Sequence, residues 1–222
     1  MTTTQGINVI NLKTKAKKYL QNNPEDKNSL AFGSVYSIFE DSKKNIWVGT
    51  YIGTLQKYIP STGKFVSYHF KSETANPRFG CDVRSIIEDE LGNLWFLPHG
   101  SGLIKFNPES GDYKNFRVTD SNSAGSIADD WSFQLIADRN KMFWIATPSG
   151  LSMLDPKTEK FTNYYNVTDD SSSLCNNYVN TVFEDSQNNL WVGTSYGLDL
   201  FDRANNRFVH FYEKDGLPSN LI

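Results

Sequence analysis

The residue types that most often carry out chemistry are few in this 222-residue chain. Three histidines and two cysteines could act as bases, nucleophiles or metal ligands, namely His69, His99, His210, Cys81 and Cys175. They form no Cys-x-x-Cys or His-Glu-x-x-His spacing, and the chain has no phosphate-binding loop. We therefore predict hydrogen-bonded or exposed histidines and two free thiols, with no catalytic residue, no metal and no cofactor.

Four aspartates recur in similar surroundings and raise the question of calcium: Asp41, Asp89, Asp138 and Asp185. A calcium loop concentrates several oxygen ligands within one turn. Each of these stretches instead has a single Asp, in most cases followed three or four residues later by Asn. This is the pattern of a turn in which the Asp side chain bonds to the backbone. We predict turn caps rather than cation sites.

Residues suited to binding a ligand lie in or just after the most irregular stretches, which are 22–33, 73–82, 119–130 and 168–178. They are Arg78, Arg84, Trp131, Asn177 and Tyr178. An aromatic plane with Arg and Asn beside it can stack on and hydrogen-bond to a sugar ring or a uronate. Alternatively, Trp131 and Tyr178 only pack the bases of their loops.

A repeat positions all of these residues. Tryptophans recur at intervals of 48 (95−47), 49 (144−95) and 47 (191−144) residues, at Trp47, Trp95, Trp144 and Trp191. Each follows an apolar residue, comes a few residues after an Asp and precedes a Gly by six or seven residues. A fixed period near fifty residues indicates a repeat protein.

Each repeat has the pattern of four short strands without a helix. An apolar first strand leads to the Asp turn and the Trp strand; a fourth strand carries an aromatic pair. The third strand is predicted to begin at a glycine, namely Gly53, Gly102, Gly150 or Gly197. So few residues leave no room for a crossover helix, which predicts an antiparallel meander. Val35 and Ile38 are three positions apart in the first strand, so their side chains point to opposite faces of the sheet. Both faces of this strand are therefore apolar, as in radially packed propeller blades.

We therefore predict an all-β fold, a β-propeller with four complete four-stranded antiparallel blades at about 34–70, 82–118, 131–167 and 178–213. Residues 6–20 match the second half of a repeat and are expected to form a partial N-terminal blade, while residues 216–222 resemble the start of a further one. The four repeat tryptophans are predicted to be structural core between successive blades. We expect an open arc of a larger ring that self-associates through its uncovered end blades. A stable monomer in light scattering would contradict this expectation.

Charge and hydropathy exclude two classes of partner. The formal net charge is −3, from 22 basic and 25 acidic residues, so no strong positive field attracts nucleic acid or anionic lipid. The chain has no basic and apolar leader and no apolar run of about eighteen residues. We expect no nucleic-acid partner and no membrane contact by this segment.

The repeat resembles a known family. The sequence from Glu184 to Leu198 follows the pattern Glu-Asp-x-x-x-Asn-Leu-Trp-Val-Gly-Thr-x-x-Gly-Leu and is similar to the two-component regulator propeller repeat. The Ser29-Leu30 and Ser173-Leu174 leaders and the tail from Asp155 to Phe161 add to the resemblance. The second repeat departs from it with Trp95-Phe96-Leu97-Pro98. The resemblance implies the periplasmic, oligosaccharide-responsive sensor part of a hybrid histidine kinase of gut Bacteroidetes, with the rest of that kinase chain as partner.

Three functional classes stay open at this point. The favoured one is a non-catalytic, ligand-sensing propeller of a two-component system. The second is a propeller enzyme of the streptogramin-lyase type, which would need catalytic histidine and metal ligands near the channel; we predict that no two histidines meet at one mouth. The third is a purely structural or protein-interaction propeller.

Overall fold

The computed structural model describes residues 2–3, 5–51, 53–70, 82–118 and 125–222. Over these ranges the chain forms nineteen β-strands and one 3₁₀ helix, Glu213–Asp215. It divides into two compact units, residues 1–113 and 114–222, and each is described by itself. The described residues are all-β, as the sequence predicts.

The first unit holds an N-terminal sheet, blade 1 and most of blade 2. The N-terminal sheet has the order β1-β2-β3, with β1 (Thr2–Thr3), β2 (Gly6–Ile10) and β3 (Lys17–Leu20). Blade 1 has the order β4-β5-β6-β7, with β4 (Val35–Glu40), β5 (Ile46–Thr50), β6 (Leu55–Ile59) and β7 (Lys64–Tyr68). Blade 2 has the order β8-β9-β10-β11, with β8 (Val83–Glu88), β9 (Leu94–Pro98), β10 (Leu103–Phe106) and β11 (Tyr113–Phe116), and the unit boundary falls inside β11.

The second unit contains two further four-stranded sheets. Blade 3 has the order β12-β13-β14-β15, with β12 (Gln134–Ala137), β13 (Phe143–Thr147), β14 (Gly150–Asp155) and β15 (Lys160–Tyr164). Blade 4 has the order β16-β17-β18-β19, with β16 (Val179–Glu184), β17 (Leu190–Thr194), β18 (Gly197–Asp202) and β19 (Arg207–Phe211). Every pairing within these two blades is antiparallel and joins strands adjacent in sequence.

The third strands begin differently from the prediction in two blades. In blades 3 and 4 they start at Gly150 and Gly197, but β6 and β10 start after Gly53 and Gly102. The backbone explains the difference. Gly53 and Gly102 have φ angles of 72° and 76° and belong to the turn, whereas Gly150 and Gly197, at 140° and 135°, are extended enough to pair. The N-terminal sheet also contains β1, which lies outside the predicted range 6–20.

Neighbouring blades share aromatic core. Trp47 is fully buried and packs between Tyr68 of its own blade, at a centroid distance of 5.5 Å, and Phe106 of blade 2, at 6.2 Å. Trp144 repeats this arrangement in the second unit, with Tyr164 at 5.9 Å and Phe201 of blade 4 at 5.3 Å. The tryptophan of one blade therefore contacts the third strand of the next blade within each unit.

Close backbone approach explains the glycine that lies two residues after the tryptophan, within the Trp strand. A Cβ atom on Gly49 would lie 2.6 Å from the carbonyl oxygen of Val83, in the first strand of blade 2. The same carbonyl accepts a hydrogen bond from Ser37 Oγ at 2.7 Å. Blade 4 has Gly193 at the equivalent place, where a Cβ would meet side-chain methyl groups of Thr181 and Ile222 instead.

The Glu-Asp pair of the repeat also joins blades. Glu88, at the end of β8, accepts a hydrogen bond from the backbone N–H of Ser42 in blade 1 at 2.7 Å. Glu184, at the end of β16, accepts the equivalent bond from Arg139 in blade 3 at 2.9 Å. The Glu thus bonds to the turn of the preceding blade, while the Asp beside it serves its own turn.

Candidate functional site

One carboxylate holds each hairpin turn to its tryptophan. Asp41 Oδ2 accepts hydrogen bonds from Trp47 Nε1 and Asn45 Nδ2, both at 2.8 Å, and Asp41 Oδ1 accepts the backbone N–H groups of Lys43 and Asn45. The indole bond recurs at 2.8 to 3.0 Å in the pairs Asp89–Trp95, Asp138–Trp144 and Asp185–Trp191. These carboxylates are occupied by bonds that build the turn.

Blade 3 completes its turn differently because Met142 stands where the other turns have Asn. Arg203 of blade 4 takes the place of the missing amide, and its Nη1 donates to Asp138 Oδ2 at 2.8 Å. The other terminal nitrogen of Arg203 donates to Glu184 Oε1 at 2.9 Å. One guanidinium therefore links the turn of blade 3 to the end of the first strand of blade 4.

Hydrogen bonding lowers the pKa of three turn carboxyl groups, those of Asp41, Asp89 and Asp185. For Asp41 and Asp89, burial alone would raise the pKa, but the bonds from the indole and the Asn outweigh burial. The pKa of Asp185 falls to about 2, because Trp191 and Asn189 donate to its carboxylate. Each of these three groups is ionised at neutral pH and acts as a fixed acceptor.

Two of the predicted ligand-binding residues are held by internal bonds. Arg84 Nε donates to the buried carboxylate of Asp82 at 2.5 Å. Asn177 Oδ1 accepts the backbone N–H of Asn166 at 2.6 Å, which fixes the loop entering blade 4. Arg78 lies outside the described residues.

The two predicted aromatic residues are accessible. Trp131 and Tyr178 are 45% and 44% exposed. They occupy equivalent positions in blades 3 and 4. Trp131 lies three residues before Gln134, which pairs with Ala146, and Tyr178 lies three residues before Thr181, which pairs with Gly193. The ring of Tyr178 lies 5.4 Å from that of Phe133. The backbone carbonyl of Tyr178 accepts the N–H of Ser195, in the turn between β17 and β18.

Blade 1 exposes a second aromatic group that sequence reasoning missed. Phe32, Tyr36 and Tyr51 are 38 to 47% exposed. Tyr51 lies 5.5 Å from Phe32 and 6.2 Å from Tyr36, between ring centroids. Tyr51 N donates to the carbonyl of Ser34, so this group sits at the same end of its blade as Tyr178 does in blade 4. We call this end, formed by the loop entering the first strand and the turn between the second and third strands, the loop end.

A polar pocket of about 460 Å³ opens beside blade 4. We call it the blade-4 pocket. Its walls are the loop 166–171 together with Leu174, Cys175, His210 and Tyr212. None of these was a predicted ligand residue, because neither the loop nor the fourth strand carries a recognisable ligand motif.

At the base of this pocket the fold brings together Cys175, Asp199 and His210. Their possible metal-ligating atoms all lie within 4.8 Å of one another. Asp199 and His210 face each other across the β18–β19 pairing, and the loop before β16 places Cys175 over them. This cluster was not predicted from the sequence, because its members are 24 and 11 residues apart (199−175 and 210−199) and follow no motif.

The cluster is not arranged as a nucleophile with its base. Both ring nitrogens of His210 are engaged, Nδ1 with Asp199 Oδ1 at 2.7 Å and Nε2 with the Ser171 carbonyl at 2.8 Å. The Cys175 thiol lies 3.2 Å from Thr194 Oγ1. Burial raises the pKa of this thiol to about 12, and the charge of Asp199 adds to the effect. A protonated thiol without a free base does not support nucleophilic catalysis.

A Gly-x-Ser-x-Gly sequence, which sequence reasoning missed, runs from Gly193 to Gly197. The nucleophile of that motif requires a strained strand-to-helix turn. Here Ser195 lies in the hairpin turn between β17 and β18. Its Oγ accepts a hydrogen bond from Asn180 at 3.3 Å. The fold therefore gives the motif no catalytic setting.

Comparison with known families identifies the repeat. The model described as "two component regulator propeller" matches residues 29–51 and 173–196, which cover the leader, first strand and Trp strand of blades 1 and 4. These two segments are similar to the two-component regulator propeller repeat. No curated protein sequence matches the chain.

Solved structures show the same fold. The extracellular domain of a proposed hybrid two-component system from B. thetaiotaomicron is similar with a TM-score of 0.71 at 23% identity, covering 98% of this chain. A virginiamycin B lyase from Staphylococcus aureus is similar with a TM-score of 0.64 at 12% identity, covering 94% of this chain. The chain spans 27% of the first protein and 63% of the second. At these identities the likeness shows the β-propeller fold. No helix within the described ranges has the length and apolar character needed to span a membrane.

Proposed function

We propose that this chain is an extracytoplasmic, ligand-sensing propeller segment of a two-component signal-transduction sensor, and that its ligand is an oligosaccharide. The repeat family and the similarity to an extracellular two-component domain support the sensor role. The rest of the sensor kinase is the proposed partner that receives the signal.

The observation that carries the oligosaccharide proposal is the exposed aromatic surface at the loop ends. In the second unit it consists of Trp131 and Tyr178, and in the first of Phe32, Tyr36 and Tyr51. Large rings left half exposed at or beside strand ends offer flat apolar area for stacking, and tyrosine adds a hydroxyl that can hydrogen-bond. Sugar rings present one apolar face and a rim of hydroxyls, which matches this surface.

Calorimetry with a panel of plant and host glycans tests the proposal on the 222-residue chain. We expect at least one glycan to bind, and Trp131→Ala or the combined change Phe32→Ala/Tyr36→Ala/Tyr51→Ala to weaken it at least ten-fold, about 1.4 kcal/mol. Leu91→Ala is the control, because Leu91 is 82% exposed but lies in the Asp turn of blade 2.

Two results would count against the proposal. A panel without any binder contradicts the oligosaccharide part. A binder whose affinity is unchanged in both aromatic variants contradicts the loop-end location. The lyase alternative has only the shared fold in its favour, since the His210 ring nitrogens are both engaged in internal bonds.

A further inference from the structure

A side-chain latch holds the loop that enters the first strand in blades 1, 3 and 4, and it differs between these blades. In blade 1 the backbone N–H of Ala31 donates to Gln56 Oε1 at 2.8 Å. In blade 3 the N–H of Ala128 donates to Ser152 Oγ at 2.9 Å. In blade 4 the N–H of Cys175 donates to Asp199 Oδ2 at 2.9 Å. The acceptor is in each case a buried residue of the third strand.

A fourth-strand residue completes each latch. Ser67 contacts Gln56 at 2.9 Å, and Asn163 contacts Ser152 at 2.7 Å. The equivalent contact in blade 4 is His210 Nδ1 to Asp199 Oδ1 at 2.7 Å. Blades 1 and 3 therefore fill the three latch positions with neutral residues that are poor ligands for metals, whereas blade 4 fills them with Cys, Asp and His.

Holding the loop does not require these three residue types. The first position contributes only its backbone N–H, and alanine suffices there in two blades, so the thiol of Cys175 has no part in the latch. A neutral amide or hydroxyl suffices at the other two positions. In blade 4 the three latch positions nevertheless carry Cys, Asp and His, which can each offer a ligand atom to a metal. These sulfur, oxygen and nitrogen atoms lie within 4.8 Å of one another.

We propose that Cys175, Asp199 and His210 form a Zn²⁺ site whose fourth position opens into the blade-4 pocket. Zinc accepts mixed sulfur, nitrogen and oxygen ligands in tetrahedral geometry at about 2.0–2.3 Å. Donor atoms around such an ion are roughly 3.3–3.8 Å apart, so the present cluster needs only small side-chain adjustments. The pocket, of about 460 Å³, provides the entry path and room for a water ligand.

Bonds to neighbouring atoms already orient the ligands. His210 Nε2 donates to the carbonyl of Ser171, which leaves Nδ1 as the ligating nitrogen. Asp199 keeps one oxygen on the Cys175 N–H and can offer the other to the ion. Such outer partners typically accompany metal-binding His and carboxylate groups. On binding, the Cys175 thiol proton and the proton of the hydrogen bond between His210 Nδ1 and Asp199 Oδ1 leave to solvent, and the metal replaces them.

The test is a Zn²⁺ titration of the 222-residue chain against a chromophoric chelator, with Cys81→Ala as background so that Cys175 is the remaining thiol. We expect one Zn²⁺ per chain, a Cys175-dependent thiolate-to-metal absorption band on substitution with Co²⁺, and no competition from Mg²⁺ or Ca²⁺. Cys175→Ala should weaken Zn²⁺ binding at least ten-fold.

The chain supplies its own matched variant. Cys175→Ala/Asp199→Ser/His210→Asn recreates the latch of blade 3 and should abolish the site while keeping the loop bond. Circular dichroism checks that it folds, and Glu109→Gln, at an exposed acid in the first unit, should leave binding unchanged.

The proposal is overturned if the parent chain binds Zn²⁺ no more tightly than the blade-3-like variant, or if Co²⁺ gives no band that depends on Cys175. The site is independent of the proposed sugar surface, so neither experiment decides the other.

Discussion

The same Trp motif lies in two different settings in the second unit. In blade 3, Trp144 is fully buried because Phe201 and Arg203 of blade 4 cover it. In blade 4, Trp191 is only half-buried, and its ring contacts Phe211 of its own sheet at 5.7 Å. The local sequence is alike, so the difference comes from the neighbouring blade. This comparison indicates that much of the motif's contribution to stability depends on the interface between blades.

The largest expected effect separates these two tryptophans directly. Trp144→Ala removes a fully buried indole and should lower the free energy of unfolding by about 3–5 kcal/mol. Trp191→Ala should cost about 1–2 kcal/mol, because less of its surface is buried. Urea unfolding followed by far-UV circular dichroism measures both. Equal losses would show that burial by the next blade does not decide the value of the motif.

A smaller effect is expected at the glycine two residues after the tryptophan, within the Trp strand. Gly49→Ala should destabilise by about 2–3 kcal/mol, since the new methyl group meets the backbone carbonyl of Val83, which cannot move without shifting a strand. Gly193→Ala meets only the side-chain methyl groups of Thr181 and Ile222 and should cost less than about 1 kcal/mol. Thermal unfolding of the two variants, side by side, provides the measurement; the reverse order would contradict the comparison.

The smallest effect is a pH dependence in blade 4. The pKa of Asp185 is lowered from its ordinary value of 3.8 to about 2. A lowered pKa in the folded state means that the carboxylate stabilises the fold above about pH 4 and that this contribution is lost as the pH falls toward 2. Asp185→Asn should therefore show a shallower loss of stability between pH 4 and pH 2 than the parent chain. Parallel curves in urea unfolding at several pH values would contradict the role of this carboxylate.

Much of the fold could be predicted because the repeat encodes it locally. A single Asp, a Trp and a Gly at fixed spacing define a turn, a buried ring and a third strand, and period and composition exclude helices. The prediction erred where backbone conformation decided the result. Gly53 and Gly102 belong to turns, while Gly150 and Gly197 belong to strands, and the sequence has the same residue at all four places.

The candidate sites were harder to predict because they depend on contacts between distant residues. Exposed Trp131 and Tyr178 were found through their position after irregular loops. Arg84 and Asn177 looked equally suitable, but their partners Asp82 and Asn166 could not be identified from spacing. The cluster around His210 becomes visible only when the β18–β19 register and the entering loop are known. Aligning the four repeats by strand would have shown three ligand-type substitutions together in blade 4.

The burial of the repeat tryptophans has a spectroscopic consequence. Trp47, Trp95 and Trp144 have no exposed surface, whereas Trp131 is 45% exposed. An indole shielded from water emits at shorter wavelengths than a hydrated one, so separation of two blades would move the emission of the buried rings toward the red. The buried tryptophans are therefore intrinsic fluorescence probes of the packing between blades.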